Sequence, residues 1–254
     1  MWTWGLKCMT GCMIPARRGI VKCMVKKQHI LAWEEPVKPT RKPIGIGIPC
    51  EKYISQTFWP SFFKMQRLDT DVVITVGMAR TDRARNMVVE QFLGKPGLSH
   101  LLFLDSDMVF PPDTIPRLLY HQKMVVGCLY FHRDKPYQPH AYTWSKDSFT
   151  PTGEPNCDPI TIDKDTKALI KIDAIGTGGL LVAREIFEQI IKPPWFEYGG
   201  QWETEDITFC RKLQKAGVNV YVDTACEAGH EGTIIIGRDT YLLYNRMQSG
   251  EVKI

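Results

Sequence analysis

Short apolar runs alternate with amphipathic stretches along most of the chain. The first three runs are too short for buried helices and are typical of strands. Three strand–helix units in succession indicate an α/β fold with a largely parallel sheet, and the near-continuous apolar strands fit a sheet that is covered on both faces. These strands are predicted at 44–48, 71–76 and 101–104.

Helices are predicted where apolar residues recur at helical spacing. The first covers 51–66 and is interrupted near Pro60. The second has Thr81 as its cap and stops at Gly94. Its apolar face carries Ala84, Met87, Val88 and Phe92.

The second half of the chain is less regular, and we find no internal repeat in it. Its predicted elements are a helix at about 113–121, strands at 124–130 and 169–175, a loop and hairpin at 146–167, a glycine turn at 176–179, a strand-to-helix passage at 180–191, a helix at 205–215 and a strand at 218–222.

The chain is predicted to contain one catalytic-sized domain, 44–254, after an amino-terminal arm, 1–43. The arm lacks steady periodicity and ends in a proline-punctuated stretch typical of a linker. Eight cysteines are scattered through the sequence and read as reduced thiols. A loosely spaced zinc site in the arm is the alternative. Its ligands would be Cys8, Cys12, Cys23 and His29.

Composition excludes several classes of protein. A net charge of +4 with 44% hydrophobic and 24% charged residues is ordinary for a globular chain, not a disordered or collagen-like one. No apolar run is long enough to span a membrane and no secretory core follows the start, so we expect a cytoplasmic protein. The mild positive charge suits anionic ligands and leaves nucleic acid open as a partner.

Two aspartates one residue apart follow the apolar run 101–104 directly. Asp105 and Asp107 would lie at the carboxyl end of a buried strand, where open α/β sheets bind ligands. Their carboxylates are hard oxygen ligands that suit Mg²⁺ or Mn²⁺ and leave coordination positions for phosphate oxygens. An Asp-x-Asp tripeptide elsewhere commonly marks a solvated turn. The prediction of a metal site therefore depends on its position directly after a buried strand.

The strand, the Asp-x-Asp and the proline-flanked stretch 108–113 resemble the GT-A glycosyltransferases, especially family-2 enzymes, over about residues 44–235. The resemblance implies a Rossmann-like, mixed but mainly parallel sheet flanked by helices. It implies metal-dependent transfer of a hexosyl or pentosyl group from a nucleoside-diphosphate sugar, UDP by default, to an acceptor hydroxyl. It also implies that Asp107 is the firmer ligand of Mn²⁺ or Mg²⁺, with Asp105 reaching the metal indirectly or contacting the donor ribose.

Basic and amide side chains follow the second predicted strand. Arg80, Arg83 and Asn86 would lie on the same sheet edge as the aspartates if the crossovers have the usual hand. Cations there could hold a diphosphate, and the resemblance assigns Arg83 and Asn86 to the donor site. The alternative is that Arg83 and Arg85 only solvate an exposed helix face.

Gly178 and Gly179 belong to a glycine turn that allows close backbone approach to a ligand. The resemblance places this loop beneath the donor sugar and the acceptor. A tight structural turn would require the same residues. His230, between two glycines in a predicted loop, resembles the histidine that completes metal coordination in many GT-A enzymes.

Two acids open the helix predicted at 205–215, with Thr204 as its cap. Carboxylates at the positive end of a helix need no other explanation. The resemblance nevertheless implies that Asp206 takes the acceptor proton in an inverting displacement and that Glu205 orients the loop or the acceptor. Retention of configuration stays open.

The acceptor is not determined by the sequence. Trp195 and Trp202 would stack on a sugar ring or on a base, so a hydroxymethylated DNA base, a carbohydrate and a protein all stay open. Two rival functions are a nucleotidyltransferase, whose glycine-rich loop with Arg and Lys is not seen near the first strand, and a non-enzymatic module that binds sugar or nucleic acid.

Overall fold

The computed structural model describes residues 41–199 and 203–252. Most of the predicted arm, including its cysteines and His29, lies outside the described residues, and so does Trp202. The described residues belong to one compact unit. No helix among them is long and apolar enough to cross a membrane.

Strands and helices alternate only in the first part of the described chain, and the strands within 125–183 follow one another without a helix between them. The strands are β1 (Gly45–Cys50), β2 (Val72–Gly77), β3 (His100–Leu104), β4 (Met108–Val109), β5 (Val125–Leu129), β6 (Ala141–Phe149), β7 (Pro155–Pro159), β8 (Leu169–Ile172), β9 (Ala174–Ile175), β10 (Gly179–Ala183), β11 (Val220–Glu227), β12 (Gly229–Glu231) and β13 (Ile235–Ile236). The helices are α1 (Phe58–Lys64), α2 (Thr81–Leu93), α3 (Thr114–Tyr120), a π-helix (Ile186–Ile190), α4 (Glu205–Lys215) and α5 (Arg238–Gln248).

A seven-stranded sheet forms the centre of the fold, with the order β2-β1-β3-β10-β5-β11-β8. Strands β1, β2, β3, β5 and β11 run in one direction, and β8 and β10 run in the other. This confirms the predicted mixed, mainly parallel sheet. Antiparallel pairing sets Gly179 of β10 opposite Leu104 of β3, so the glycine turn lies beside the end of the strand that precedes the aspartates.

Both faces of the sheet are covered. Leu101 and Phe103 of β3 pack into the core beneath α2, α4 and the π-helix, whereas Leu102 and Leu104 of the same strand pack beneath α1 and α3. This alternation follows from the two-residue period of a strand. Two layers of helices therefore leave the strand ends as the open edge of the sheet.

The helix predicted over 51–66 is shorter in the structure. Helix α1 begins at Phe58, two residues before Pro60. Proline lacks an amide hydrogen and its ring clashes with the preceding turn, so a helix accepts it only near its start. Residues 51–57 form a loop instead, and the Ser55 amide donates to the Ser106 carbonyl at 2.9 Å.

Three other predicted details differ. Thr81 is the first residue of α2 and not its cap, since its hydroxyl pairs with that of Tyr198 at 2.8 Å. The strand predicted at 169–175 divides at Asp173, whose carboxylate accepts the Trp144 amide at 2.9 Å. His230 lies in strand β12 and not in a loop.

Two small sheets flank the central one. Strands β13-β12-β4 form one and β7-β6-β9 form the other. The first pairs His230 with Met108, directly after the Asp-x-Asp. The second contains the predicted hairpin, β6 with β7, which contacts helix α4 where Arg211 donates to the Pro155 carbonyl at 2.6 Å.

Candidate active site

The Asp-x-Asp forms a turn between β3 and β4 that three distant segments hold in place. The Asp105 amide donates to the Gly178 carbonyl at 3.0 Å, and the Glu231 amide donates to the Asp107 carbonyl at 2.9 Å. The third contact is that of Ser55 with Ser106. The backbone of this turn is therefore fixed independently of its carboxylates.

His230 faces Asp107. Its Nε2 lies 3.5 Å from Asp107 Oδ2, and its Nδ1 lies 2.9 Å from the Phe131 carbonyl oxygen. Because a carbonyl only accepts, Nδ1 must carry a hydrogen. Nε2 therefore faces Asp107 as a donor when the ring is protonated and with a free lone pair when the ring is neutral. Arg133 Nη1 lies 3.2 Å from the same Asp107 oxygen.

The electrostatics of this pair favour an ionised carboxylate. Burial opposes ionisation of Asp107, but the hydrogen bond and charge of His230 and the charge of Arg133 lower its pKa. Burial likewise opposes protonation of His230, but the Asp107 and Phe131 hydrogen bonds and the Asp107 charge raise its pKa. A cation is thus favoured beside Asp107.

The cation that the sequence interpretation missed is Arg85. Its Nη2 donates to Asp105 Oδ1 at 3.2 Å, and its Nη1 pairs with Glu205. Burial opposes its charge, but Asp105 and Asp206 raise its pKa. Arg85 stands three and seven residues before Val88 and Phe92, so helical spacing already places it on the buried side of α2.

The three predicted donor-site residues of this helix lie elsewhere. Arg80 pairs with Asp82 and, like Arg83, is exposed. Asn86 accepts the amides of Trp195 and Phe196 at 2.9 and 3.1 Å, and so anchors that segment to α2. None of these three side chains lines either cavity described below, and their assignment to the donor stays a prediction.

The glycine turn is crowded by the protein's own side chains. A β-carbon added to Gly178 would lie 3.0 Å from Tyr130 Cζ and 3.2 Å from Asp105 Oδ2, and one added to Gly179 would lie 3.1 Å from Cys128 Cβ. Both glycines are buried. This packing is a sufficient structural reason for both glycines, and their contact with a ligand stays a prediction.

The two acids at the start of α4 point in different directions. Glu205 is 5% exposed and pairs with Arg85, whereas Asp206 lines a cavity. Thr204 has the extended backbone of a cap but makes no side-chain capping bond, because its hydroxyl pairs with Asp206. Adjacent residues on a helix diverge by about 100°, so Glu205 anchors the helix and Asp206 is left to face the cavity.

Two cavities lie at this edge of the sheet. The larger, about 460 Å³, is lined by Asp105, Asp107, Arg85 and Arg133 among others. The smaller, about 260 Å³, is lined by Asp206, His132, His140, Tyr142 and Glu203 among others. His132 lines the smaller cavity and the next residue, Arg133, lines the larger. The two cavities are therefore neighbours.

The predicted acceptor tryptophans do not form a stacking surface in the described chain. Trp195 is 6% exposed, and its Nε1 donates to the carbonyls of Phe187 and Ile191 at 3.2 and 3.1 Å. Its assignment to the acceptor is corrected, because both ring faces lie in the core. Trp202 lies outside the described residues.

The residues present fit a divalent cation. No group of three or more His, Cys, Asp or Glu side chains with metal-binding placement occurs in 41–199 or 203–252. The pair of Asp107 and His230 instead offers one carboxylate oxygen and one imidazole nitrogen. Mn²⁺ accepts both donor types, and two protein ligands leave coordination positions for phosphate oxygens. Asp105 is engaged by Arg85.

Comparison with known proteins identifies the fold. No protein-family model and no curated protein matches the sequence. Among solved structures, A197 from STIV matches with a TM-score of 0.53 and 18% identity over 75% of this chain and 86% of that one. GalNAc-T7, solved with UDP, GalNAc and Mn²⁺, matches with a TM-score of 0.52 and 12% identity over 81% of this chain and 48% of that one.

These similarities show a GT-A-like fold, a mixed α/β sheet flanked by helices. They do not single out family 2 among glycosyltransferases with this fold. The chain spans about half the length of the GalNAc-T7 chain.

Proposed function

We propose that this protein is a metal-dependent glycosyltransferase. It moves a sugar from a nucleoside-diphosphate sugar, UDP-linked by default, to an acceptor hydroxyl with inversion, as family-2 enzymes do. The observation that carries the proposal is the adjacency of two cavities at one sheet edge. Asp107 lines the larger cavity and is faced by His230, and Asp206 lines the smaller.

The donor would occupy the larger cavity, whose volume lies in the usual range for small-molecule sites. Asp107 and His230 would hold Mn²⁺ or Mg²⁺, which supplies positive charge to the leaving diphosphate when bound. Arg133 would add a second cation at the cavity wall. The Mn²⁺ and UDP in the GalNAc-T7 structure support this choice of cofactor and donor.

Asp206 is the proposed general base. The acceptor oxygen bonds to the anomeric carbon while the bond from that carbon to the diphosphate oxygen breaks, and the electron pair of the broken bond stays on the diphosphate. The acceptor proton passes to Asp206. Proton removal of this kind contributes about 10² to 10⁴ in rate. Arg85 holds the adjacent Glu205 and thereby fixes the helix turn that carries the base.

Hydrolysis of UDP-, GDP- and TDP-sugars with and without Mn²⁺ tests the proposal. We expect one donor to be cleaved only with metal, and Asp107→Asn to abolish that activity. Asp113→Asn is the matched control, because Asp113 pairs with Arg117 on α3 and lines neither cavity. Failure to bind or cleave any donor with any metal would refute the proposal.

A further inference from the structure

Three aromatic rings form a column beside the smaller cavity. Tyr130 and His140 stack with centroids 4.6 Å apart, and His140 and His132 stack at 3.5 Å. Tyr130 is buried, and its hydroxyl accepts the Gly178 amide at 3.1 Å. The column thus starts in the core and ends at His132, which is partly exposed and lines the cavity.

Both imidazoles of this column are neutral near pH 7. Burial lowers the pKa of His132, and the charge of His230 lowers it further. Burial also holds the pKa of His140 well below its usual value. Repulsion from His132 and His230, when those rings are protonated, lowers it further. The hydroxyl of Tyr142 lies 2.7 Å from His132 Nε2 and orients that ring. The column therefore presents an uncharged aromatic face.

The acidic and basic side chains that line the smaller cavity, apart from its two imidazoles, are two carboxylates and one guanidinium. Glu203 and Asp206 are the acids, and Arg211 is the base. The Arg211 guanidinium is already paired within the protein, because its Nε donates to Glu203 Oε1 at 2.6 Å and its Nη1 lies 3.6 Å from Glu154. The cavity therefore offers hydrogen-bond acceptors and an excess of negative charge.

Further acids lie around this cavity. Asp134 and Asp158 are close enough to raise the pKa of His132 and of the Cys157 thiol, respectively, although other groups act more strongly on both. The pKa of Cys157 itself is raised to about 12, chiefly by burial, so it stays a neutral thiol. A phosphodiester at the cavity would meet carboxylates and a guanidinium, that of Arg211, which is already paired with acids, whereas phosphate contacts require free Lys and Arg side chains.

We infer that the smaller cavity binds a neutral, polyhydroxylated sugar ring, a glycoside, packed on His132 with its reactive hydroxyl at Asp206. A sugar ring turns C–H bonds toward the electron-rich face of an aromatic ring, and its hydroxyls donate to carboxylates. The inference rests on the proposed function, and it replaces the DNA base among the acceptors left open by the sequence.

The native protein tests this acceptor class directly. With Mn²⁺ and the donor that it hydrolyses, it is offered methyl glucoside, methyl galactoside, methyl N-acetylglucosaminide and a DNA duplex that contains 5-hydroxymethylcytosine. We expect transfer to at least one glycoside and none to DNA. Donor hydrolysis with transfer to DNA alone, or to no glycoside, overturns the inference and leaves the glycosyltransferase standing. Absence of donor binding and hydrolysis overturns both.

Two variants then test the stacking surface. His132→Ala should raise the KM for the glycoside by roughly 3- to 10-fold, the range expected for loss of one aromatic contact. His132→Phe keeps a ring and should recover most of that loss. The Kd of UDP with Mn²⁺, measured by calorimetry, should match the native value in both. Tyr120→Ala is the control, an exposed ring that lines neither cavity.

An unchanged KM in His132→Ala, or a defect in His132→Phe as large as in His132→Ala, overturns the stacking role of His132. Circular dichroism of each variant separates loss of the ring from loss of the fold.

Discussion

Arg85 Nη2 lies 3.2 Å from Asp105 Oδ1 and joins helix α2 to the turn after β3. The other terminal nitrogen of the same guanidinium pairs with Glu205 at the start of α4. The Arg85 side chain is 6% exposed, and its buried Nε has no hydrogen-bond partner within the described residues. One buried cation thus connects the proposed donor side to the proposed acceptor side.

Arg85→Met should destabilise the protein by about 3 to 5 kcal/mol, because it leaves the buried Glu205 and the partly buried Asp105 without a counter-charge. Urea unfolding measures the change. Arg83→Met, two residues away on the exposed side of α2, should stay within about 0.5 kcal/mol of the native value. Equal stability of the two variants would contradict the bridging role of Arg85.

Asp206→Asn should lower kcat by about 10² to 10⁴ and change the free energy of unfolding by less than about 0.5 kcal/mol. The adjacent Glu205→Gln should instead cost roughly 1 to 3 kcal/mol of stability, since it removes the charged partner of Arg85. Steady-state kinetics and urea unfolding of both variants separate the two roles. An Asp206→Asn enzyme with native kcat would exclude Asp206 as the base.

Asp71→Asn should destabilise the protein in a pH-dependent way. The Asp71 carboxylate is buried and accepts from Arg41 at 2.8 Å and from the amides of Ile44 and Leu68 at 3.0 and 2.8 Å. Burial opposes its ionisation, but these hydrogen bonds lower its pKa. A folded pKa below the unfolded value of about 3.9 means that the charge stabilises above that pH.

We therefore expect Asp71→Asn to lose roughly 1.5 to 3 kcal/mol at pH 7. The difference from the native protein should shrink as the pH falls through the folded pKa, below about 4. Urea unfolding at pH 7 and pH 3 measures both values. The exposed Asp69→Asn is the control and should show no such difference. A gap that is constant with pH would exclude the charge as its cause.

Gly178→Ala should cost about 1 to 3 kcal/mol, because the added carbon meets Tyr130 and Asp105 within 3.2 Å. Gly77→Ala should be close to neutral, since no atom lies within 4 Å of the carbon that it adds. Thermal unfolding of the two variants is the measurement. A neutral Gly178→Ala would mean that the turn can move away from Tyr130.

Helices whose apolar face and end are both marked by nearby residues were predictable from sequence. The helices predicted at 81–94 and 205–215 are α2 (Thr81–Leu93) and α4 (Glu205–Lys215) in the structure. Each segment has apolar residues at helical spacing and a glycine at or just after its end, so no distant contact was needed. The edge position of Asp105 and Asp107 follows from the strand before them in the same way.

Contacts between distant segments were not predictable. The spacing of Arg85 allows burial, but nothing near it in the sequence points to Glu205. The burial of Trp195 depends on Asn86, which lies on another element. The chemical roles of Asp206, Asp107 and His230 stay predictions, because a position at a cavity does not demonstrate a reaction.

The triple anchoring of the Asp-x-Asp turn bears on how the protein folds. Its backbone bonds reach Ser55, Gly178 and Glu231, which are far apart in the chain, so the turn takes its shape only after most of the domain has assembled. A ligand that needs this turn cannot recognise partly folded chains. Its binding energy would therefore add to the stability of the whole domain, and the midpoint of cooperative unfolding would rise with ligand concentration.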